Sequence, residues 1–134
     1  MARPPIEVRH LGSDVDYDEA LALQAELVEE RKAEHIPDQL LVLQHRAVIT
    51  IPRTRAEQNL LVSPELAERQ GVQVRRTNRG GDITYHGPGQ WVLYPIIKLE
   101  GQARDVHRYA RALERAMVNV CAHYGIQAGV KGGL

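Results

Sequence analysis

Hydrophobic spacing divides the chain into alternating strands and helices. Ile6–Leu11 alternates weakly and reads as a short strand. Asp16 follows in a helix N-cap position, with Glu19 three residues on as in a capping box. Tyr17, Ala20, Leu21, Leu27 and Val28 recur at helical spacing, which predicts a first helix to about Lys32. Gln24 shares that face and is expected to hydrogen-bond a neighbouring backbone, because a buried amide left unpaired is costly. Pro37 closes the next connection. Leu40-Leu41-Val42-Leu43 is a continuous apolar run, the mark of a strand covered on both faces. Ala47–Ile51 is a second β-prone run. Ser63-Pro64-Glu65 supplies an N-cap, a proline at the first helical position and an acid in the first turn. Gly71 ends that short helix, and Val72-Gln73-Val74 returns as a strand. A last helix starts near Asp105, with Val106, Ala110, Leu113, Met117, Val120 and Tyr124 along one face and Gly125 as its stop. Interleaved strands and helices define an α/β or α+β class, a mixed sheet flanked by helices.

The tail Gly129-Val130-Lys131-Gly132-Gly133-Leu134 is glycine-rich and enters no element, so a truncation is expected there. At 134 residues the chain is long enough for one domain with a real core. Apolar residues at 43% and charged residues at 25% place it with ordinary globular proteins. No apolar run suits a signal peptide or a membrane span. A single cysteine, Cys121, excludes an internal disulfide, and a cytoplasmic enzyme is the default expectation. Zero net charge argues against a general nucleic-acid binder.

Charge is unevenly spread. Residues 10–40 carry Asp14, Asp16, Asp18, Glu19, Glu26, Glu29, Glu30, Glu34 and Asp38 against Arg31 and Lys32. Residues 45–79 carry Arg46, Arg53, Arg55, Arg69, Arg75, Arg76 and Arg79 against Glu57, Glu65 and Glu68. Either these are two solvated faces, or the arginines form a docking surface for an acidic partner.

The richest segment is Asn78 to Trp91. Gly80 and Gly81 allow positive φ and close approach of a ligand to the backbone. Asp82, Thr84 and His86 alternate with Ile83 and Tyr85 at strand period. Gly87-Pro88-Gly89-Gln90 fits a type II turn, and Trp91-Val92-Leu93-Tyr94 returns as a strand that Pro95 places at a sheet edge. The pattern predicts a hairpin with a polar face of Asp82, Thr84 and His86. That face is either a pocket wall or plain solvated surface. Neither the Gly-x-x-x-x-Gly-Lys-Ser/Thr nor the Gly-x-Gly-x-x-Gly phosphate pattern is present.

Arg79-Gly80-Gly81-x-x-Thr84-Tyr85-His86-Gly87-Pro88-Gly89-Gln90 resembles the signature of the octanoyl-carrier-protein:protein octanoyltransferases, the lipoate-protein ligase B family. His45-x-x-x-x-Thr50, Asn59-Leu60-Leu61, Tyr17, Gln24 and Tyr124-Gly125-Ile126 resemble further family segments. One departure is Ile51-Pro52-Arg53, where the family usually has glycine before arginine. The resemblance implies that residues 1–134 are part of a catalytic domain similar to biotin and lipoate ligases. It implies transfer of an octanoyl group from acyl carrier protein, through a cysteine thioester, to a lysine. The acceptors would be lipoyl domains of 2-oxoacid dehydrogenases or the glycine-cleavage H protein, with neither metal nor ATP. Arg79, Gly80, Gly81, Asp82, Ile83, Thr84, Tyr85 and His86 would line the acyl site, with His45 facing it. The family's catalytic lysine and cysteine would lie beyond Leu134. Cys121 is expected to be a buried structural thiol and Lys131 a solvated residue. A truncated homologue that holds an acyl chain or a carrier protein without turnover is one alternative, and an ATP-dependent lipoate or biotin ligase is the other. It typically carries three glycines and then Gly-Asn, where this chain has Gly80-Gly81 and Gly89-Gln90.

Overall fold

The computed structural model describes residues 5–53 and 56–132, so Arg55 lies outside the described residues. Six strands and three helices follow in order: β1 (Ile6–Val15), α1 (Tyr17–Lys32), β2 (Asp38–His45), β3 (Val48–Ile51), α2 (Pro64–Arg69), β4 (Gln73–Arg76), β5 (Thr84–His86), β6 (Val92–Ile96) and α3 (Val106–His123). Short 3-10 turns occupy Ala56–Asn59 and Gly101–Arg104. The chain forms two compact units that divide after Lys98.

In the first unit the expected single mixed sheet is two three-stranded mixed sheets, β1-β2-β6 and β4-β3-β5. Each has a central strand with a parallel neighbour on one side and an antiparallel neighbour on the other. Position in the sheet explains the apolar run of β2. Leu41 and Leu43 are fully buried while Leu40 and Val42 are half-buried, so one face carries the core. Burying each leucine contributes roughly 1.5–3 kcal/mol. Ala20 and Leu27 of α1, with Ile96 of β6, complete that core, and Leu11, Val15, Leu23 and Tyr94 pack around it. Leu21, expected on the same helix face, is 51% exposed.

The end signals act as the sequence predicts. The Asp16 carboxylate accepts from the Asp18 and Glu19 amides and caps α1. Gln24 donates to the Ala20 carbonyl at 3.1 Å. Ser63 caps α2, with Pro64 in its first turn. Gly71, at φ +79°, carries the chain out of that helix in the left-handed region where a side chain is disfavoured. Strand β1 is longer than its hydrophobic pattern shows, reaching Val15 through irregular register around Gly12.

The predicted hairpin does not form. Strand β5 pairs with β3, whereas β6 pairs with β2 in the other sheet. The type II turn between them is present: the Gln90 amide donates to the Gly87 carbonyl at 3.1 Å, with Gly89 at φ +90°. It acts as a corner joining two sheets. Spacing reveals a turn but not which neighbour each flanking strand adopts. Pro95 occupies an edge strand, opposite Leu40, as its missing N–H requires.

The acidic and basic stretches are not separate faces. Arg75 pairs with Asp18 at 2.8 Å, and Arg46 pairs with Asp14 at 3.2 Å, because the parallel pairing of β1 with β2 sets Val15 opposite His45. Arg31 pairs with Asp38 at 2.6 Å, and the Asp38 carboxylate, nearly buried, also accepts from the Lys98 amide.

The second unit is dominated by α3. Asp105 caps it, accepting from the His107 and Arg108 amides. The Ile126 amide returns to the Cys121 carbonyl around Gly125, closing the C-terminus as expected. No residue of α3 is buried. Cys121 is therefore half-exposed rather than the buried thiol that residue statistics suggest.

Candidate functional site

The site assembles where β2, β3, β5 and β6 bring their inward faces together. His45 ends β2 on the face of Leu41 and Leu43, and it is fully buried. Its Nδ1 lies 3.2 Å from the Val15 carbonyl and its Nε2 lies 2.8 Å from the Tyr94 hydroxyl. A carbonyl oxygen only accepts, so Nδ1 carries the proton and Nε2 accepts from Tyr94. Burial pushes the His45 pKa below its ordinary value, opposed by the Val15 bond and reinforced by nearby His86. Burial, with Tyr17 nearby, pushes Tyr94 up to about 12, so its hydroxyl keeps the proton it donates. The Tyr17 and His86 rings lie 5.3 and 5.9 Å from the His45 ring. Burial also raises the Tyr17 pKa, and Arg79 offsets part of that effect.

His45 thus sits one layer behind the surface that the sequence expected it to line, closed off by Tyr94. His86 is half-buried in front of it. The antiparallel register sets Thr84 opposite Thr50 and His86 opposite Val48, so Thr84 and His86 share one face while Tyr85 points outward. Asp82 precedes the strand and belongs to the loop.

Arg79 works from inside that loop. Its Nη2 donates to the Thr50 hydroxyl at 2.7 Å and to the Thr84 hydroxyl at 2.9 Å. Its Nη1 donates to the Gly80 carbonyl at 2.9 Å. Thr50, almost fully buried, also donates to the Thr84 carbonyl. The guanidinium fork therefore ties β3 to β5 and shapes the glycine pair. Gly81, at φ +88°, needs its freedom, and an added Cβ would sit 3.4 Å from the Arg79 fork. The backbone at Gly80 borders open space. Across the loop, both Asp82 oxygens accept from Asn59 at 3.0 Å, and one accepts from the Ile83 amide at 2.7 Å. The Asn59 bond, then the Ile83 amide, holds the Asp82 pKa below the usual carboxylate range.

The corner turn sets His86. Its Nδ1 lies 2.5 Å from the Gln90 Oε1, while the Gln90 amide nitrogen reaches back to the Tyr85 carbonyl. Gln44 of β2 accepts from the Gly89 amide at 2.8 Å and anchors the turn to the other sheet. Gly87 is buried under the Tyr85 ring, which leaves no room for a Cβ. The signature residues 79–86 therefore form one loop and strand with an exposed backbone at Gly80 and an imidazole at its end. A shallow depression lined by Glu68, Gly71, Val72, Gln73 and Arg75 includes none of them.

Sequence reasoning singled out Arg79, Thr84 and His86, which the fold brings to one loop and strand, and did not single out the bond that Tyr94 makes. Its spacing shows an ordinary strand tyrosine, and only the meeting of β2 and β6 brings its hydroxyl to His45. Gln44 and Gln90 lay in plain view beside the two histidines.

This architecture is that of lipoate protein ligase catalytic domains. A bipartite lipoate protein ligase from Thermoplasma acidophilum superposes with a TM-score of 0.67 at 18% identity, covering 96% of this chain and 49% of that one. P. falciparum LipL1, in complex with lipoate, superposes with a TM-score of 0.64 at 16% identity, covering 96% and 39%. The chain belongs to the lipoyl protein ligase A/B catalytic domain family, which matches residues 16–133. Within it the chain is similar to octanoyltransferases. It is 48% identical over 122 residues to that of Solibacter usitatus, covering 91% of this chain and 55% of the relative. It is 44% identical over 123 residues to the mitochondrial octanoyltransferase LIP2 of Arabidopsis thaliana, covering 92% and 52%. The chain spans about half the length of these relatives. Among the described residues no helix is long and apolar enough to cross a membrane.

Proposed function

We propose that this chain forms part of an octanoyltransferase that moves an octanoyl group from acyl carrier protein, through an enzyme thioester, to a lysine of a lipoyl domain or H protein. The observation that supports this most is the Arg79-braced loop, whose Gly80 backbone is open and whose strand ends at His86, within a chain 48% identical to an octanoyltransferase. The backbone of residues 80–83 lines the acyl chain, and His86 stands at the carbonyl end. Asp82 and Arg79 hold the loop, and Ile83 and Tyr85 shape its flanks. The acyl-carrying cysteine and its lysine are not Cys121 or Lys131. The thioester donor arrives activated, so the reaction runs without ATP or a metal. The compartment does not follow from the family, since the Arabidopsis relative is mitochondrial.

The test incubates the full-length protein with octanoyl carrier protein and a lipoyl domain and weighs the lipoyl domain. An octanoyl mass increment without ATP is expected. Loading of free lipoate that depends on ATP would instead assign a ligase. Residues 1–134 alone should gain no octanoyl adduct, and an adduct on Cys121 would overturn its exclusion.

A further inference from the structure

We propose that Gln90 is a positioning residue that locks His86 with its proton on Nδ1, and that His86 Nε2 takes a proton from the ammonium of the incoming acceptor lysine. This rests on the octanoyltransferase reading above and assigns the acceptor half-reaction its base.

Geometry carries the argument. The Gln90 Oε1 only accepts, so at 2.5 Å from His86 Nδ1 it requires a proton there. The amide is held in that sense, because its nitrogen donates to the Tyr85 carbonyl. The turn that presents Gln90 is itself fixed twice, by the Gln90 amide on the Gly87 carbonyl and by Gln44 on the Gly89 amide. Flipping the Gln90 side chain would set its NH2 against the Nδ1–H and its oxygen against the Tyr85 carbonyl. Nε2 of His86 is left with its lone pair, and among the described residues nothing donates to it. Behind it, His45 has the same Nδ1–H tautomer, imposed by Val15 and Tyr94, and presents a neutral ring 5.9 Å away.

That arrangement suits one step of the proposed reaction. A lysine side chain is an ammonium at neutral pH, with a pKa of about 10.4, and has no lone pair for attack. One ammonium proton passes to His86 Nε2. The freed nitrogen pair forms the C–N bond to the thioester carbonyl carbon, and the C–S bond breaks with its electrons leaving on sulfur. A second nitrogen proton passes to that thiolate, giving amide and thiol, and His86 returns its proton to water. Protonating Nε2 leaves the Nδ1–H bond to Gln90 intact and makes it charge-assisted, so the loop need not rearrange during the step.

The experiment uses the full-length protein in two measurements. Long-range proton–nitrogen NMR of labelled histidines at alkaline pH reads the tautomers. His86 should be the Nδ1–H form in wild type and in Gln90→Glu, which keeps an acceptor oxygen, and should shift toward Nε2–H in Gln90→Met. In the second, the acyl-enzyme is trapped and its capture by a lipoyl-domain lysine is compared with capture by hydroxylamine, which is already neutral. His86→Gln should lower the lysine-to-hydroxylamine ratio by roughly a hundredfold, the usual scale of general-base catalysis. Gln90→Met should lower it about tenfold, and both deficits should shrink as pH rises and free lysine amine accumulates. An unchanged ratio in His86→Gln, or a wild-type tautomer in Gln90→Met, overturns the inference while leaving octanoyl transfer standing. Absence of octanoyl transfer by wild type overturns the functional reading and the inference with it.

Discussion

The Tyr94 hydroxyl donates to His45 Nε2 at 2.8 Å, joining β6 to the end of β2 inside the first unit. His45 is fully buried, so its ring has no water to replace that donor. Tyr94→Phe removes the donor but keeps the ring. It should destabilise the fold by about 1–3 kcal/mol, the scale for orphaning a buried acceptor. Urea denaturation would measure this. Burial holds the pKa of the Tyr94 hydroxyl at about 12, and a late step near that value should vanish from the tyrosinate absorbance of Tyr94→Phe.

Stability should also depend on pH through His45. Its folded pKa is lowered, mainly by burial, so below about 6.5 the unfolded chain gains a proton that the folded chain refuses. The stability it contributes is present above about 6.5 and is lost as pH falls from there through the lowered folded value. Denaturation midpoints collected downward from neutral pH should decline in that window. His45→Gln should flatten the decline even if it lowers the plateau. A slope unchanged by the substitution would assign the decline to other groups.

Arg79 is expected to act through the two threonines it ties together. Arg79→Lys keeps the charge but cannot reach Thr50, Thr84 and Gly80 with one planar fork. Octanoyl transfer in the full-length protein should fall about tenfold, equivalent to one 1.4 kcal/mol bond. Hydrogen exchange should quicken in residues 80–84 first. Wild-type activity with faster exchange would separate the brace from the reaction.

Two glycines should fail for different reasons. Gly81→Val places a β-branched side chain at φ +88°, where L residues lose at least about 1–2 kcal/mol. It should cut transfer sharply while the far-UV spectrum stays native. Gly87→Ala instead drives a Cβ into the Tyr85 ring and should displace that ring, read as a changed Tyr85 NMR environment.

The sequence left open whether the arginines between residues 45 and 79 are a solvated face or a docking surface for an acidic carrier, with Arg75 and Arg76 or Arg53 and Arg55 as the docking candidates. Arg75 instead pairs with Asp18. Arg75→Glu should therefore cost stability by about 0.2–1 kcal/mol, and the double reversal with Asp18→Arg should recover it. If KM for the carrier-bound donor rises in the single variant and stays raised in the double, Arg75 also serves docking. Full recovery of KM with stability assigns it to the fold.

The local rules were readable from the sequence because they act over a few residues. Asp16, Ser63, Asp105, Gly71 and Gly125 cap or stop helices through neighbours two or three positions away, and each does so. The loop from Arg79 to His86 was legible for the same reason, since glycines and alternating polar residues announce themselves. What spacing did not carry was the identity of partners remote in sequence. The turn at Gly87–Gln90 was correct, yet its two strands belong to different sheets. Arg79 was read as lining the acyl site, and spacing did not carry which side chains its fork would bond, namely Thr50 and Thr84. The apolar stripe of α3 was also read correctly as a stripe, but Met117, Val120 and Tyr124 stand exposed, so periodicity named a face without naming its cover.

The pairing of Gln39 with Ile96 has a consequence during synthesis. Strand β2 is the centre of its sheet, and one flank stays open until β6 emerges from the ribosome, with β3, α2, β4 and β5 translated in between. At roughly 5–20 residues per second that interval lasts several seconds. Throughout it the Leu40–Leu43 run can pair only with β1 and lean on α1. Ribosome-bound chains halted before Val92 should hold that run open to chaperones, and chains halted well past Ile96 should hide it.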